Sequence, residues 1–181
     1  MTTTIIILIF ILIGLLLAVN AIAQYKHQQA IERRHTLLRL AASVSELEEL
    51  LVNGVQMPMS NQLMAILLQR LVNVFKQVLE LMPEDNHGIT ERLNDAKEQL
   101  AGIDVTRNQQ PGFIVPKSEA HIAALIKTTK KVRHVLIQEK RRGHVKNEPF
   151  FAEDSYLATL LVKTFTEYKL NQGLKALAEE Q

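Results

Sequence analysis

The sequence has no cysteine and no tryptophan, and their absence removes several classes of chemistry. Without cysteine the chain can form no disulfide, no thiolate nucleophile and no cysteine-based zinc site. Aromatic residues make up only 5% of the chain and no RNA-binding signature is present, which argues against base recognition. The sequence also lacks the phosphate-binding motifs G-x-x-x-x-G-K-[ST] and G-x-G-x-x-G and the zinc-protease motif H-E-x-x-H. We therefore expect no cofactor, no metal and no enzymatic activity.

Charge is nearly balanced over the 181 residues. The 21 Lys and Arg and 19 Asp and Glu give a net charge of +2, which by itself does not indicate nucleic-acid binding. Hydrophobic residues make up 47% of the chain and charged residues 22%, so a wholly disordered chain is excluded. The length fits a short N-terminal segment followed by one domain of ordinary size.

A long apolar run opens the chain. It extends from Ile5 to Ala23, and Asn20 is its one strongly polar residue. At about 1.5 Å per residue, a helix over this run reaches about 28 Å, close to the roughly 30 Å hydrocarbon thickness of a bilayer. The four residues before it carry no Lys or Arg, so the positive start of a secretory signal is missing. The sequence therefore predicts a transmembrane anchor over residues 1–23.

The charges that follow the apolar run predict its orientation. Positive side chains stand on its downstream side, at Lys26, Arg33, Arg34 and Arg39. Such charges keep their side of the membrane cytoplasmic, so residues 24–181 are predicted to be cytoplasmic at a bacterial inner membrane, with the N-terminus outside. The tripeptide Ala21-Ile22-Ala23 also matches a cleavage pattern, and the alternative is a periplasmic or secreted module released after Ala23. The downstream charges favour the retained anchor.

Residues 24–181 are predicted to form an all-α bundle of four to five helices, because helical periodicity dominates and no run alternates as a strand does. The first helix is expected to continue from the anchor to Asn53, since no Gly or Pro interrupts it. Its apolar stripe covers about two heptads, which favours packing within a bundle over a coiled coil. The stripe consists of Leu37, Leu40, Val44, Leu47 and Leu51.

The remaining helices are predicted from capping and breaking residues. Ser60 is expected to cap a second helix that forms the centre of the core, and Pro83 to stop it. Thr90 and Ser118 are expected to cap the third and fourth helices, and Pro149 to lie in the first turn of the fifth. The buried stripe predicted for that fifth helix is Leu157, Leu161, Phe165 and Tyr168.

Two further patterns in the sequence each allow a functional and a structural interpretation. Glu32 with His35 and Glu84 with His87 have the E-x-x-H spacing of di-iron bundles. Glu84 and His87 stand between a proline and a glycine, where we expect a turn, so chance is the favoured explanation. In the broken stretch before Ser118, the apolar residues 113–115 could bind a partner or cover the core, and covering the core is favoured.

The run from Lys127 to Lys146 has eight Lys or Arg residues and a single acidic residue, Glu139. At about 100° per residue, one helix face carries the positive side chains, which we call the basic ridge: Lys127, Lys130, Lys131, His134 and Arg141. The opposite face carries Ile122, Leu125, Val132 and Leu136.

The basic ridge has two interpretations. It could be a solvated face balanced by the acidic residues between positions 80 and 98, or it could bind anionic lipid headgroups or an acidic protein, with nucleic acid unlikely. We expect a single-pass membrane-anchored scaffold or adaptor that binds a protein partner, and a homodimer through the anchor is possible. The alternative function is a periplasmic or secreted helical binding module.

Overall fold

The computed structural model describes residues 2–53, 57–82, 87–106 and 118–179, without the side chains of residues 2–13, 18, 53, 175, 178 and 179. All regular secondary structure in these ranges is helical, which confirms the all-α prediction for this part of the chain. The helices are α1 (Thr2–Asn53), α2 (Asn61–Leu81), α3 (His87–Gly102), α4 (Glu119–Arg141) and α5 (Asn147–Glu179).

The chain divides into two compact units, Met1–Ala42 and Ser43–Gln181. The first unit is the N-terminal part of α1, where the large apolar side chains that the structure describes, such as Leu16 and Ile22, are exposed. Among the described residues no helix combines the length and the apolar character needed to cross a bilayer. Much of the predicted anchor falls on residues 2–13, whose side chains lie outside the described part, so the anchor stays a prediction.

The core of the second unit is built around α2, as predicted. Nine of its 21 residues are buried, on more than one face: Leu63, Ile66, Leu67, Leu68, Leu71, Val72, Val74, Phe75 and Val78. This helix packs against α3, α4 and α5, and α4 packs against α5. In the second unit, α1 contributes buried Val44, Leu47 and Leu50, so the predicted stripe is confirmed at Val44 and Leu47, and Leu50 is buried where Leu51 was expected.

The helix ends follow local chemistry. The Ser60 hydroxyl accepts a hydrogen bond from the Leu63 amide at 3.0 Å, which confirms the predicted cap of α2. Ser118 has the extended backbone of a cap but its side chain makes no capping hydrogen bond. Gly143 lies two residues after the end of α4. Its φ of 78° is a left-handed conformation that favours glycine. Pro149 lies in the first turn of α5, as predicted.

The predicted start of α3 is wrong. The helix begins at His87, before the expected cap at Thr90, so His87 lies in a helix and not in a turn. Half-buried Ile89 stands four and seven residues before buried Leu93 and Ala96, so these three side chains share one helix face. Burial of that face extends the helix past the local capping signal. Glu84 and residues 113–115 lie outside the described residues, and so do the predictions made for them.

The predicted buried stripe of α5 is also wrong at most of its positions. Leu157 is buried, but Leu161 and Tyr168 are only half-buried and Phe165 is 54% exposed. The buried face is instead Glu153, Leu157, Leu160 and Thr164. Two of these residues, Glu153 and Thr164, are polar. A prediction that relies on the spacing of apolar residues therefore leaves them out of the core. Thr164 is satisfied locally, since its hydroxyl donates to the Leu160 carbonyl at 2.7 Å, whereas the hydrogen bond that Glu153 accepts from Ser60 is formed only in the folded bundle.

Candidate functional site

The basic ridge lies on the solvent side of α4. Lys127, Lys130, His134 and Arg141 are exposed. The opposite face is buried as expected from the helical angle, at Ile122, Leu125, Val132 and Leu136. Burial of the apolar face therefore fixes the direction in which the positive side chains project.

Lys131 differs from the other residues of the ridge. Its Nζ lies 3.2 Å from the Oε2 atom of Glu49 on α1, and its side chain is only 28% exposed. His134 also has a hydrogen-bond partner, because its Nε2 lies 2.8 Å from the side-chain amide nitrogen of Gln138. Among the ion pairs of the described residues, none involves Lys127, Lys130 or Arg141. These three charges are what the ridge offers to a ligand.

The acidic residues expected to balance the ridge do not pair with it in the part of the chain that the structure describes. Helix α3 packs against α2 and, among the described residues, does not pack against α4. It carries Glu91, Asp95 and Glu98. The ion pair that α3 does make joins Arg92 to Glu48 of α1. Glu84 and Asp85 lie outside the described residues. Lys131 is therefore the ridge residue that an acid balances, and that acid is Glu49 of α1 instead of one of the expected residues between positions 80 and 98.

Arg133 reaches from α4 to α5 and does not lie along the ridge, and its side chain is 39% exposed. Its Nε and Nη2 atoms donate to the two carboxylate oxygens of Asp154 on α5, at 2.6 and 3.1 Å. The hydrogen bond to Asp154 raises the pKa of Arg133, against a smaller effect of burial. A bidentate pair of this kind fixes orientation as well as charge, so it holds α4 and α5 in register beneath the ridge.

Glu139 is the one acidic residue of the basic run, and it is buried at 2% exposure. Its Oε1 accepts from Arg142 at 2.7 Å and lies 3.3 Å from Nε of Arg70 on α2. Its Oε2 accepts from Nδ1 of His144 at 2.6 Å. Nothing in the sequence points to this cluster except the isolated position of one Glu among eight positive residues. The cluster joins α2 to the end of α4 and to the turn that follows it.

Burial and charge act in opposite directions on Arg70. Its side chain is 11% exposed. Burial lowers its pKa from the ordinary value, and the Glu139 carboxylate opposes that effect. An arginine stays protonated in proteins, so the cost of burying Arg70 must be offset by the carboxylate that it faces. Glu139 is therefore needed for the stability of this end of the bundle.

A second buried carboxylate, Glu153 of α5, lies beside the N-terminus of α2. The Ser60 hydroxyl donates to its Oε1 at 2.7 Å while accepting from the Leu63 amide, so one serine links the carboxylate to the helix N-terminus. Its Oε2 is buried with no hydrogen-bond partner among the described residues. Tyr156 donates to the carbonyl of Pro58 at 2.9 Å and completes the attachment of the segment before α2 to α5.

Tyr156→Phe should lower the free energy of unfolding by about 1 kcal/mol at neutral pH, because it removes the hydrogen bond to Pro58. Burial, with a further contribution from Glu153, raises the pKa of Tyr156. A tyrosine with a raised folded pKa contributes stability that is complete below the unfolded pKa of about 10 and is lost as pH rises through the folded pKa. Urea unfolding at about pH 8 and about pH 11 should show a steeper alkaline loss for the natural protein than for Tyr156→Phe. Equal losses in the two proteins would contradict this assignment.

A groove of about 360 Å³ lies between α2, α3 and the C-terminal end of α1. Its apolar lining includes Leu71 and Phe75 of α2 and Ala96 of α3. Arg92 lies over the Phe75 ring at 5.4 Å and pairs with Glu48 at the rim. Within the described ranges, no group of three or more His, Asp or Glu side chains is placed to hold a metal ion.

Comparisons with protein-family models, with curated proteins and with solved structures find nothing similar. Within the described residues, three positive side chains on one face of α4 have no ion pair: Lys127, Lys130 and Arg141.

Proposed function

We propose that the protein is a single-pass, membrane-anchored helical adaptor whose bundle binds an acidic protein partner through the basic ridge. The observation that carries the proposal is the exposure of Lys127, Lys130 and Arg141 without an ion pair among the described residues. Charges of one sign on a fixed helix face attract a partner of opposite charge and orient it during encounter. The proposed partner presents Asp and Glu side chains at a matching spacing.

The rigidity of the ridge supports this role. Away from the ridge, Arg133 of α4 holds Asp154 of α5, and Glu139 of α4 binds Arg70 of α2. Because charged pairs join α4 to both of these helices, the helix backbone that carries the ridge is held in place before any partner arrives. Such preorganisation reduces the conformational entropy lost on binding.

The membrane anchor is proposed from the sequence. The apolar run Ile5–Ala23 and the positive charges from Lys26 to Arg39 support an N-out anchor with the bundle in the cytoplasm. A reporter fused after Gln181 should then be active only in the form that works in the cytoplasm. Activity confined to the exterior, with a mature mass that begins at Gln24, would favour the released module instead.

Reversing two ridge charges, Lys127→Glu with Lys130→Glu, should weaken partner binding roughly tenfold or more at low salt, because the reversed charges repel an acidic surface. The measurement is the amount of partner protein that is crosslinked to each variant in membranes and recovered with it, at about 0.05 and about 0.3 M salt. At the higher concentration, screening should remove most of the difference between the variant and the natural protein. The matched control is Lys76→Glu with Lys97→Glu, which changes the net charge equally at exposed positions on α2 and α3.

The control variant should bind as the natural protein does, and both variants should unfold at the natural temperature. Equal recovery of partners with the ridge variant and the natural protein at low salt would show that the ridge is a solvated face. Loss of sedimentation with anionic vesicles, with partner recovery unchanged, would assign the ridge to lipid headgroups and overturn the protein-binding proposal.

A further inference from the structure

Helix α5 carries a row of apolar side chains that stays outside the core of the bundle. Its members follow one another at steps of seven, four and three residues, which places them on one helix face. Phe151, Val162 and Phe165 are each more than half exposed, and Ala158 between them is half-buried. We call these four residues the outer strip.

Two contacts with α4 fix the side of α5 on which the outer strip lies. Arg133 of α4 donates to Asp154 at 2.6 Å. Nζ of Lys140, also on α4, lies 5.9 Å from the centre of the Phe150 ring. Asp154 lies about 100° around α5 from Glu153, which faces the start of α2, and the outer strip lies about 50° further in the same direction. The outer strip therefore flanks α4 on the side of this helix pair that faces away from α2.

The basic ridge lies on the same side of the pair. On α4, Glu139 faces α2, and Arg133, about 120° around the helix, faces α5. Lys130 and Arg141 lie about 60 to 80° further in the same direction. The ridge and the outer strip therefore border one surface, which is formed by two neighbouring helices.

This surface joins positive charge to apolar area without a free carboxylate. Half-buried Ile126 and Ile137 lie between the ridge and the outer strip. In residues 127–141 and 151–165, all of which the structure describes, the acids are Glu139, Glu153 and Asp154. The first two are buried, and Arg133 binds the third. A ligand for this surface must therefore supply both carboxylates and apolar side chains.

We infer that the partner binds through an acidic amphipathic helix that lies along α4 and α5, with its apolar side chains on the outer strip and its Asp and Glu side chains at the ridge. The inference rests on the proposed function, because it specifies the part of the acidic partner that meets the ridge. Packed helices lie about 8 to 10 Å apart, and a helix with its side chains is about 10 to 12 Å wide, so one helix can contact both rows at once. This is the arrangement in which an amphipathic helix binds a groove between helices.

A bilayer fits this surface less well than a helix does. Phosphates and acyl chains lie at different depths of a bilayer, whereas the ridge and the outer strip lie side by side on two neighbouring helices. A single amphipathic helix carries apolar and acidic side chains next to each other on its surface, as this arrangement requires.

The test measures the binding of two synthetic peptides to the full chain in lipid nanodiscs. The first peptide is an acidic helix of about 18 residues, with leucines along one face and glutamates on both borders of that face. The second has the same residues in an order that gives no apolar face. The discs contain phosphatidylglycerol, which repels acidic peptides, and empty discs serve as the blank. Anisotropy of a labelled peptide gives the dissociation constant at low salt.

The amphipathic peptide should bind the natural chain roughly tenfold more tightly than the scrambled peptide, because only its leucines and glutamates can meet both rows together. Phe151→Ser with Val162→Ser should remove this difference and leave the binding of the scrambled peptide unchanged. The matched control is Leu170→Ser with Leu174→Ser, at positions of α5 that are also more than half exposed but lie outside the strip. The control should bind both peptides as the natural chain does, and both double variants should unfold at the natural temperature.

The other outcomes separate this inference from the proposed function. Equal affinity of the natural chain for the two peptides, lost in Lys127→Glu with Lys130→Glu, would overturn the inference and leave the proposed function in place. Binding of neither peptide would contradict both. A preference for the amphipathic peptide that persists in Phe151→Ser with Val162→Ser would overturn the inference. So would quenching of a label at Val162→Cys, in a chain with no other cysteine, by brominated acyl chains in the discs, because it would assign the outer strip to the bilayer.

Discussion

Glu139→Leu should lower the free energy of unfolding by about 3 to 5 kcal/mol, because removal of one member of a buried ion pair leaves the other charge uncompensated. The charge left behind is Arg70, whose side chain is 11% exposed and whose nearest carboxylate is Glu139 at 3.3 Å. Arg142 and His144 are about two-fifths exposed and can turn to water, so their loss of a partner costs less. In a chain of this length the change corresponds to a fall in melting temperature of about 6 to 20 °C.

A double variant separates the cost of the unpaired charge from a general loss of packing. Adding Arg70→Leu to Glu139→Leu removes both buried charges and should recover most of the lost stability, since apolar replacements of a buried pair are often neutral. The control is Glu46→Leu, at an exposed position of α1, which should change stability by no more than about 0.5 kcal/mol. A double variant as unstable as Glu139→Leu would show that the charge pair is not the cause.

Ser60→Ala should have the second largest effect, a loss of about 3 kcal/mol. The substitution removes the cap of α2, which is worth about 1 kcal/mol. It also leaves both oxygens of buried Glu153 without a hydrogen bond from the described residues, which costs about 1 to 3 kcal/mol more. Both partners of the hydroxyl are close, at 3.0 Å for the Leu63 amide and 2.7 Å for Glu153. Thermal and urea unfolding of the full chain measure the loss.

The two contributions can be distinguished with the carboxylate removed. In a chain that already carries Glu153→Met, Ser60→Ala should cost only the capping contribution of about 1 kcal/mol. Ser155→Ala is a suitable control, because it removes an exposed hydroxyl two residues from Glu153 on the same helix. If Ser60→Ala costs the same with and without Glu153, the hydroxyl stabilises the helix end alone.

Most of the helical framework could be predicted from the sequence because its causes are local. The spacing of leucine and valine marks α2 as the central helix, and Ser60, Gly143 and Pro149 act on the backbone within a few residues of themselves. The start of α3 could not be found in this way. Its first turn is held by packing of Ile89 and Leu93, and capping residues carry no information about that packing.

The buried carboxylates could not be predicted at all. A Glu is counted as an exposed residue until its partners are known, and Arg70 and Ser60 are distant in sequence from Glu139 and Glu153. The error in the stripe of α5 has the same origin at Glu153, whereas Thr164 is buried because its hydroxyl is satisfied by the Leu160 carbonyl of its own helix, which a pattern of apolar residues does not register. For the ridge, the helical angle was sufficient for orientation, but the pairing of Lys131 with Glu49 depends on how α1 is placed.

The buried residues are distributed unevenly over the bundle, and this has a consequence for how it opens. Helix α3 buries only Leu93 and Ala96, and its charged tie to α1 is the exposed pair of Arg92 and Glu48. Helices α2, α4 and α5 are instead joined by the Glu139 and Glu153 clusters and by most of the buried leucines. We therefore expect partial unfolding to begin at α3, with the other three helices still packed, and the groove beside Phe75 to be the first part of the core to become wet.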